Sequence, residues 1–450
     1  MKTIKDTVAK IKYGEIKPTE LVAQMVAEAK RNNDNQHILI TITEERAMKE
    51  AATAEEILKK GGEVDVLCGI PYTVKDLFKT KGIKTTGGSK VLAEYIPDAD
   101  AEIILRLVDC GSVLIGKANL HEFAHGAIGT NPHYGTVANP YDSTRIAGGS
   151  SSGSAGAVSC GYGLFSLGTD TGGSVRVPAA LCGLVGLKPT YGLLSCKGVI
   201  PYCWSLDHVG IITNTAYDME LVMSSLLKKH KPESYTCVHG QNGLSGKKIG
   251  IPTSFFYDNL DQEIEATLDK VRGNFRSLGA DIVFVDMPEL QNSRIASLTI
   301  QLPEVLSYHS KYLADRWELY SPDIFAGMAA GQFILAEQYL MAKRTASYYH
   351  DEMRKIFESI DLMLVPSTPC IAPKIGEDFV NIGGESVPCG NAVTKFFSLF
   401  NMTGNPSLTM PAGMHSKGLP IGFQLVGREF GEGELLNTAI TYENNFRFKK

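Results

Sequence analysis

The chain of 450 residues lacks several features that would mark particular classes of protein. Its formal net charge is −5 and no block of five or six like charges occurs, so no basic surface for nucleic acid is expected. No run of 18 uncharged apolar residues is present, and the first residues show no apolar core of a signal peptide. The nine cysteines form no C-x-x-C pair, which is typical of reduced thiols. We therefore expect a cytoplasmic protein with a small-molecule substrate and no membrane partner.

Histidine, lysine and arginine are missing from one stretch that is rich in glycine and serine. Residues 148–174 read GGSSSGSAGAVSCGYGLFSLGTDTGGS, with nine glycines and seven serines. A serine hydroxyl is a weak nucleophile without a neighbouring base, so a catalytic serine here would need a base from elsewhere in the chain. A flexible linker is the alternative. The segments SAGAVSCG and LFSL resemble a short helix and a buried strand, however, which favours packed structure.

Helix-like and strand-like segments alternate along the chain. The apolar spacing predicts helices within residues 15–58, with Thr19 as an N-cap, and an almost wholly helical region from Ser307 to Ser359. Strands are predicted in VLCGIPYTVKDLF, which would deliver Lys75 at its end, and in SVLIGKAN, LFSL, LVGLK, KKIGIPT and IDLMLVPSTP. This alternation predicts one large α/β/α domain over residues 1–450, with a mixed sheet covered by helices on both faces.

Two short motifs match hydrolase signatures without the context that each requires. Residues 149–153 spell G-x-S-x-G with Ser151 at the centre, but the preceding NPYDSTRIAG is turn-like where an α/β-hydrolase has a strand. His121 and His125 spell H-E-x-x-H, but glycine and proline follow immediately and no third zinc ligand continues the motif. We expect a short helix after Asn119 and neither a metal nor another cofactor.

Five segments together resemble the amidase signature family: GIPYTVKDLF, AGGSSSGSAGAVSCG, GTDTGGSVRVPAALCGLVGLKPTYG, FNMTGNPSLTMPAG and GLPIGFQLVG. The resemblance spans nearly the whole chain, with its signature region at about residues 65–215. It implies a Ser-cisSer-Lys triad in which Ser174 is the nucleophile, Ser150 the bridging serine and Lys75 the base. The implied activity is hydrolysis of a linear carboxamide through an acyl-enzyme. Ser152 stands where the family usually has glycine, beside Ser150.

The residue types support these roles on physical grounds. Ser174 follows two glycines at the start of a predicted helix, so the backbone N–H groups of Thr171, Gly172, Gly173 and Ser174 are candidates for an oxyanion hole. Lys75 follows apolar residues, and burial that lowers its pKa by roughly three units would make it a base near neutrality. The alternative for Lys75 is an exposed side chain paired with the adjacent aspartate.

Four further residues near the nucleophile are expected to be structural. Asp170 and Arg176 flank Ser174, and we expect an ion pair or a hydrogen-bond scaffold rather than a contact with substrate. Cys160 and Cys182 are expected to be small packing residues because no base accompanies either thiol.

Stand-alone amidases and the glutaminase (A) subunit of tRNA-dependent amidotransferases both belong to the family that the chain resembles. Those glutaminase subunits carry an Arg-Arg pair suited to the glutamine α-carboxylate, and Ala326 and Gly327 stand at the matching place here. The stand-alone enzyme is therefore the first hypothesis and the glutaminase subunit the second. The third hypothesis is a catalytically silent subunit with a role in binding or assembly. Partner subunits are expected only for an amidotransferase, and a homodimer is compatible with the sequence.

The sequence gives only an outline of the substrate pocket. Its walls are expected from residues 125–134, 202–204 and 308–320. The sequence offers no candidate carboxylate clamp, which favours neutral or apolar amides.

Overall fold

In the computed structural model, residues 2–228, 235–237, 240, 243–446 and 448 are described. Among them, eleven strands form one mixed sheet in the order β1-β3-β2-β4-β6-β5-β12-β13-β9-β7-β8, and β10 and β11 form a separate hairpin. The strands are β1 Leu39–Ile42, β2 Pro71–Lys75, β3 Val113–Ala118, β4 Phe165–Asp170, β5 Val185–Lys188, β6 His208–Thr213, β7 Lys248–Pro252, β8 Asp281–Val285, β9 Leu362–Pro366, β10 Phe379–Ile382, β11 Glu385–Pro388, β12 Ser407–Met414 and β13 Pro420–Gly427.

Helices cover both faces of this sheet, as predicted for an α/β/α arrangement. They are α1 Ile4–Lys12, α2 Pro18–Gln36, α3 Glu44–Lys60, α4 Glu102–Asp109, α5 Ser152–Cys160, α6 Arg176–Leu181, α7 Ala216–Leu227, α8 Gln262–Ser277, α9 Ser293–Leu313, α10 Pro322–Ala329, α11 Ala336–Ser359, α12 Cys389–Thr394, α13 Ser398–Met402 and α14 Glu432–Asn445. Short 3-10 turns lie at Lys90–Leu92, Glu122–Ala124, Trp317–Leu319 and Ala330–Phe333.

The central strands are buried along their whole length, because helices cover both sides of the sheet. Every residue of β2, β3, β4, β6 and β13 is buried. Strand β2 pairs in parallel with both β3 and β4, so the carboxyl ends of these three strands lie at one edge of the sheet. Ligand sites in open α/β sheets form at such edges. The helix α5, made of small residues as predicted, begins beside the same edge and contacts β2, β3 and β4.

The structure corrects two sequence predictions in the N-terminal region. Strand β1 interrupts the segment predicted to be helical and pairs antiparallel with β3 at the edge of the sheet. Four residues, LITI, are too few for periodicity to separate a strand from a helix. Helix α2 begins at Pro18, with Lys17 as N-cap, so the predicted cap at Thr19 lies inside the first turn. Proline favours the first helical position because it has no N–H to satisfy.

A helix that crosses a bilayer needs about 20 consecutive residues of mainly apolar character. Across the described parts of the chain, no helix combines the length and apolar character needed to cross a membrane.

Candidate active site

Lys75 lies at the carboxyl end of β2, as the sequence predicted. Its ammonium nitrogen Nζ donates hydrogen bonds to Ser150 Oγ at 2.7 Å and to Thr169 Oγ1 at 2.8 Å. Thr169 belongs to the neighbouring strand β4, so the parallel pairing of the two strands brings these groups together. Both Lys75 and Ser150 are completely buried. A lysine enclosed in this way is held by hydroxyl groups rather than by a carboxylate.

Burial lowers the pKa of Lys75 from 10.5 to about 7, although the charges of Asp207 and Asp170 act in the opposite direction. Desolvation disfavours the charged ammonium, which is the cause predicted from the apolar approach to this lysine. The alternative pairing with Asp76 is wrong. That carboxylate instead forms a buried ion pair with Lys117, with Oδ1 and Nζ 2.9 Å apart. Lys75 is therefore poised to exchange a proton near neutral pH.

One backbone hydrogen bond links the segment that carries Ser150 to Ser174. The peptide bond from Gly149 to Ser150 is cis. The next residue, Ser151, donates its backbone N–H to the carbonyl of Ser174 at 3.1 Å. The Ser151 hydroxyl donates to the carbonyl of Thr169 at 3.3 Å and is buried in the sheet. Ser174, but not Ser151, lines a cavity. No strand directly precedes the G-x-S-x-G motif in this part of the described structure.

The loop that carries Ser174 is shaped by a buried ion pair, as expected. Arg176 Nη2 lies 2.8 Å from Asp170 Oδ1, and its Nε lies 3.0 Å from Oδ2. Burial alone would raise the pKa of Asp170, but the charge and hydrogen bonds of Arg176 and the Asn401 amide hold it well below its usual range. The same carboxylate accepts backbone N–H groups from Gly173 and Val175 at 2.9 and 3.1 Å. The ion pair therefore fixes the backbone on both sides of Ser174.

This arrangement narrows the expected set of oxyanion donors. The N–H of Gly173 already donates to Asp170, so it is not available in the same geometry to a substrate oxygen. Thr171, Gly172 and Ser174 remain as candidates, and all three line the cavity. The regular part of α6 begins at Arg176, two residues later than the helix start predicted at Ser174. These donors therefore belong to a turn before the helix.

The cavity beside Ser174 has a volume of about 210 Å³. Two of the three predicted wall segments contribute to it, through His125 to Ala127 and through Tyr202. None of the described residues that line the cavity comes from the third segment, where His309 and Tyr320 pack against Phe123 in an aromatic cluster. The opposite wall comes instead from the first half of α9 and from α12 and α13, through Arg294, Leu298, Gln301, Gly390, Thr394 and Ser398.

The H-E-x-x-H segment forms a 3-10 turn rather than the expected short helix. Phe123 and Ala124 have φ angles of 48° and 61°, so the backbone leaves the right-handed helical region between the two histidines. The Glu122 carboxylate is buried and accepts hydrogen bonds from the Ser89 hydroxyl at 2.5 Å and the Ser321 N–H at 3.0 Å. It therefore ties the turn to two other segments. Within the described residues, no cluster of three or more His, Cys, Asp or Glu side chains is arranged to hold a metal ion.

The two histidines of this segment lie near the candidate triad. The N–H of His121 donates to the Ser150 carbonyl at 3.1 Å, and the His125 ring lines the cavity against Tyr202. Burial lowers the pKa of each imidazole to about 4, although the charge of Asp323 partly opposes the change. Both rings are therefore neutral over the range in which Lys75 titrates.

The expected packing cysteines are found in the core. Cys182 is buried with its Sγ 3.4 Å from the Ala147 carbonyl, and Cys160 packs partly buried against the same apolar cluster. Sequence reasoning missed Thr169 and Arg294. Thr169 could have been found from the sequence, because it directly precedes Asp170 and therefore lies near the same end of β4. Arg294 could not, because its approach to Ser174 depends on how α9 folds back over the site.

Comparisons with known proteins agree with this architecture. The chain belongs to the amidase family, whose model matches residues 20–436. A solved structure described as an amidase is 32% identical, with a TM-score of 0.91 over 99% of this chain and 100% of that one. Another, described as a vestigial protein complex that reveals the origins of an s-triazine catabolic enzyme, is 30% identical, with a TM-score of 0.93 over 99% of each chain.

A curated relative is the (A) subunit of the glutamyl-tRNA(Gln) amidotransferase of Caldanaerobacter subterraneus. It is 32% identical over 96% of this chain and 94% of the relative. Family membership makes the chain a hydrolase of amide C–N bonds.

Proposed function

We propose that this chain hydrolyses a carboxamide to a carboxylate and ammonia through an acyl-enzyme on Ser174, with Ser150 and Lys75 as the proton relay. The observation that carries this proposal is the 2.7 Å contact between Lys75 Nζ and Ser150 Oγ, at a lysine whose pKa burial lowers to about 7. A general base works best when its pKa lies near the operating pH. Ser174 is the proposed nucleophile because it lines a cavity and its carbonyl accepts the N–H of Ser151, the residue after Ser150.

The reaction begins with neutral Lys75, whose nitrogen takes the proton of Ser150 while Ser150 takes that of Ser174. Ser174 Oγ bonds to the amide carbon, and the carbonyl electron pair moves to oxygen, which the N–H groups of Thr171, Gly172 and Ser174 stabilise. When this intermediate collapses, the C–N bond breaks and the relay returns its proton to the leaving nitrogen. Water then attacks the ester by the same relay, which releases the carboxylate and restores Ser174.

Ammonia release by the purified chain from a panel of aliphatic, aromatic and ureido amides tests the proposed activity. Added hydroxylamine should yield a hydroxamate, because it competes with water for the acyl-enzyme. A catalytically silent protein with a role in assembly would release no ammonia from any member of the panel. Hydrolysis without hydroxamate would contradict the covalent intermediate.

The glutaminase subunit of a tRNA-dependent amidotransferase is the second candidate. The curated relative favours it, since that protein is one subunit of such an enzyme and matches almost the whole chain. The residues at positions 326 and 327 favour the stand-alone enzyme, because alanine and glycine stand where a glutaminase subunit is expected to carry its Arg-Arg pair. A Cβ built at Gly327 would lie 2.2 Å from His125 Nε2, so a larger side chain there would displace the His125 ring. Glutamine turnover that depends on added partner subunits would favour the second candidate, and turnover of other amides by this chain alone would favour the first.

A further inference from the structure

Arg294 is the cation that the cavity presents opposite Ser174. It lies in the first turn of α9, and Leu298 and Gln301 follow on the same face of the helix, four and seven residues later. All three line the cavity together with Ser174 and Gly172. A Cβ built at Gly172 would lie 3.7 Å from Gln301 Nε2, which shows how closely this face of α9 approaches the candidate oxyanion donors.

The charge of Arg294 is not balanced by a carboxylate. Its Nη1 donates to Thr394 Oγ1, and its Nη2 donates to Asn391 Oδ1 at 2.7 Å. Its Nε is buried and has no acceptor among the described residues, and both side chains that accept from its Nη atoms are neutral. A guanidinium has five N–H donors and stays protonated in proteins. The Arg294 side chain is partly buried, and a partly desolvated charge without a counter-ion has a free-energy cost that an anionic group of a ligand would offset.

The other described residues that line the cavity carry no negative charge. None of its described lining residues is aspartate or glutamate, so nothing in the lining balances a substrate ammonium group. Its volume of about 210 Å³ is roughly that of seven water molecules in the liquid, which suits a small acyl group. Arg294 also borders a second cavity of about 240 Å³, whose lining includes Glu385 and Lys395. An anion there would meet an acidic side chain as well as the cations.

We propose that the substrate is the monoamide of a short dicarboxylic acid, whose free carboxylate binds Arg294 while its amide meets Ser174. This inference rests on the proposed amidase function and replaces the expectation of a neutral or apolar amide. A bidentate contact between carboxylate and guanidinium would also fix the distance from the carboxylate to the scissile amide. Substrates with an α-ammonium group, such as glutamine, are disfavoured because the lining offers no carboxylate for it.

A matched pair of substrates tests the proposal on the wild-type chain. Succinamate and succinamide have nearly the same shape, and only the first carries a charge. We expect kcat/KM to be about 10- to 100-fold higher for succinamate, the range typical of a hydrogen-bonded charged contact. The value of kcat/KM should also be higher for glutaramate than for glutamine. Equal or faster turnover of succinamide would overturn the inference but leave the amidase function intact. Absence of turnover for every amide would instead contradict the proposed function itself.

Variants of Arg294 test whether this residue causes the preference for succinamate over succinamide. Arg294→Met should lower the ratio of kcat/KM for succinamate over succinamide by about 10- to 100-fold, and Arg294→Lys should keep part of it. If Arg294→Met fails to fold, the more polar Arg294→Gln replaces it. Lys395→Gln is the matched control, because it removes a cation from the second cavity only. A ratio that falls in Lys395→Gln and not in the Arg294 variants would contradict the assignment.

Binding gives a readout that does not depend on turnover. Calorimetric titration of succinamate into Ser174→Ala should show binding that Arg294→Met in the same background weakens at least tenfold. Succinamide should bind both proteins with equal, weak affinity. Equal binding of succinamate with and without Arg294 would overturn the proposal.

Discussion

The pH dependence of turnover reports directly on Lys75. Only the neutral amine can accept the proton of Ser150, so kcat/KM should rise with pH along a limb set by the free-enzyme pKa of this lysine. Because burial places that pKa at about 7, the neutral fraction should be about 1% at pH 5, half at pH 7 and nearly complete at pH 9. The logarithm of kcat/KM should therefore rise with a slope of about one below pH 7 and become flat above pH 8.

Initial rates of ammonia release between pH 5 and pH 9.5, measured at low substrate concentration, would define this limb. The kcat/KM of Lys75→Arg should be about 10²- to 10⁴-fold lower than that of the wild type, since guanidinium keeps its proton across this pH range. His121→Asn and His125→Asn serve as controls, because the pKa of each imidazole is about 4 and their titration falls below the limb. A limb that survives in Lys75→Arg and disappears in a histidine variant would refute the lysine as the base.

Three further predictions concern stability and packing. Lys75→Met should raise Tm more at pH 6 than at pH 9. Folding lowers the pKa of Lys75 from 10.5 to about 7, so the wild-type protein loses stability as the pH falls from 10.5 to about 7, and methionine removes this loss. An equal change in Tm at both pH values would contradict this. Asp170→Asn should cost about 3–5 kcal/mol in urea unfolding by leaving its arginine partner unpaired, whereas Asp142→Asn at the surface should leave the midpoint nearly unchanged. Gly327→Ala should raise KM by displacing the facing histidine ring, whereas Gly273→Ala, with nothing within 4 Å, should stabilise α8 by about 0.5–1 kcal/mol and leave KM unchanged.

Local sequence carried most of the information about the sheet edge. The apolar run before Lys75 predicted a buried strand that ends at the lysine, and the structure places it there, against β4. Strong local signals of this kind are apolar runs bounded by charge or glycine. The four residues of β1 were missed because so short a strand owes its conformation to pairing with β3 rather than to its own pattern.

The wall opposite Ser174 could not be predicted from local patterns. Arg294 lies 120 positions beyond Ser174 in the chain, and it reaches the cavity because α9 crosses the site. A single arginine near the start of a helix has the same sequence signal whether it faces solvent or substrate. The role of Asp170 was easier to anticipate, since its arginine partner lies only six residues away. Contacts between distant segments therefore decided which predictions failed.

The most direct test of the central claim compares two serines that lie side by side. Ammonia release from an amide that the wild type hydrolyses should disappear in Ser174→Ala, because Ser174 lines the cavity beside the candidate donors and Ser151 does not. Ser151→Ala should keep substantial activity, because that hydroxyl points into the sheet and donates to a strand carbonyl. Circular dichroism would show that both variants remain folded. Substantial turnover by Ser174→Ala, with activity lost in Ser151→Ala, would contradict the account and assign the nucleophile to the G-x-S-x-G motif.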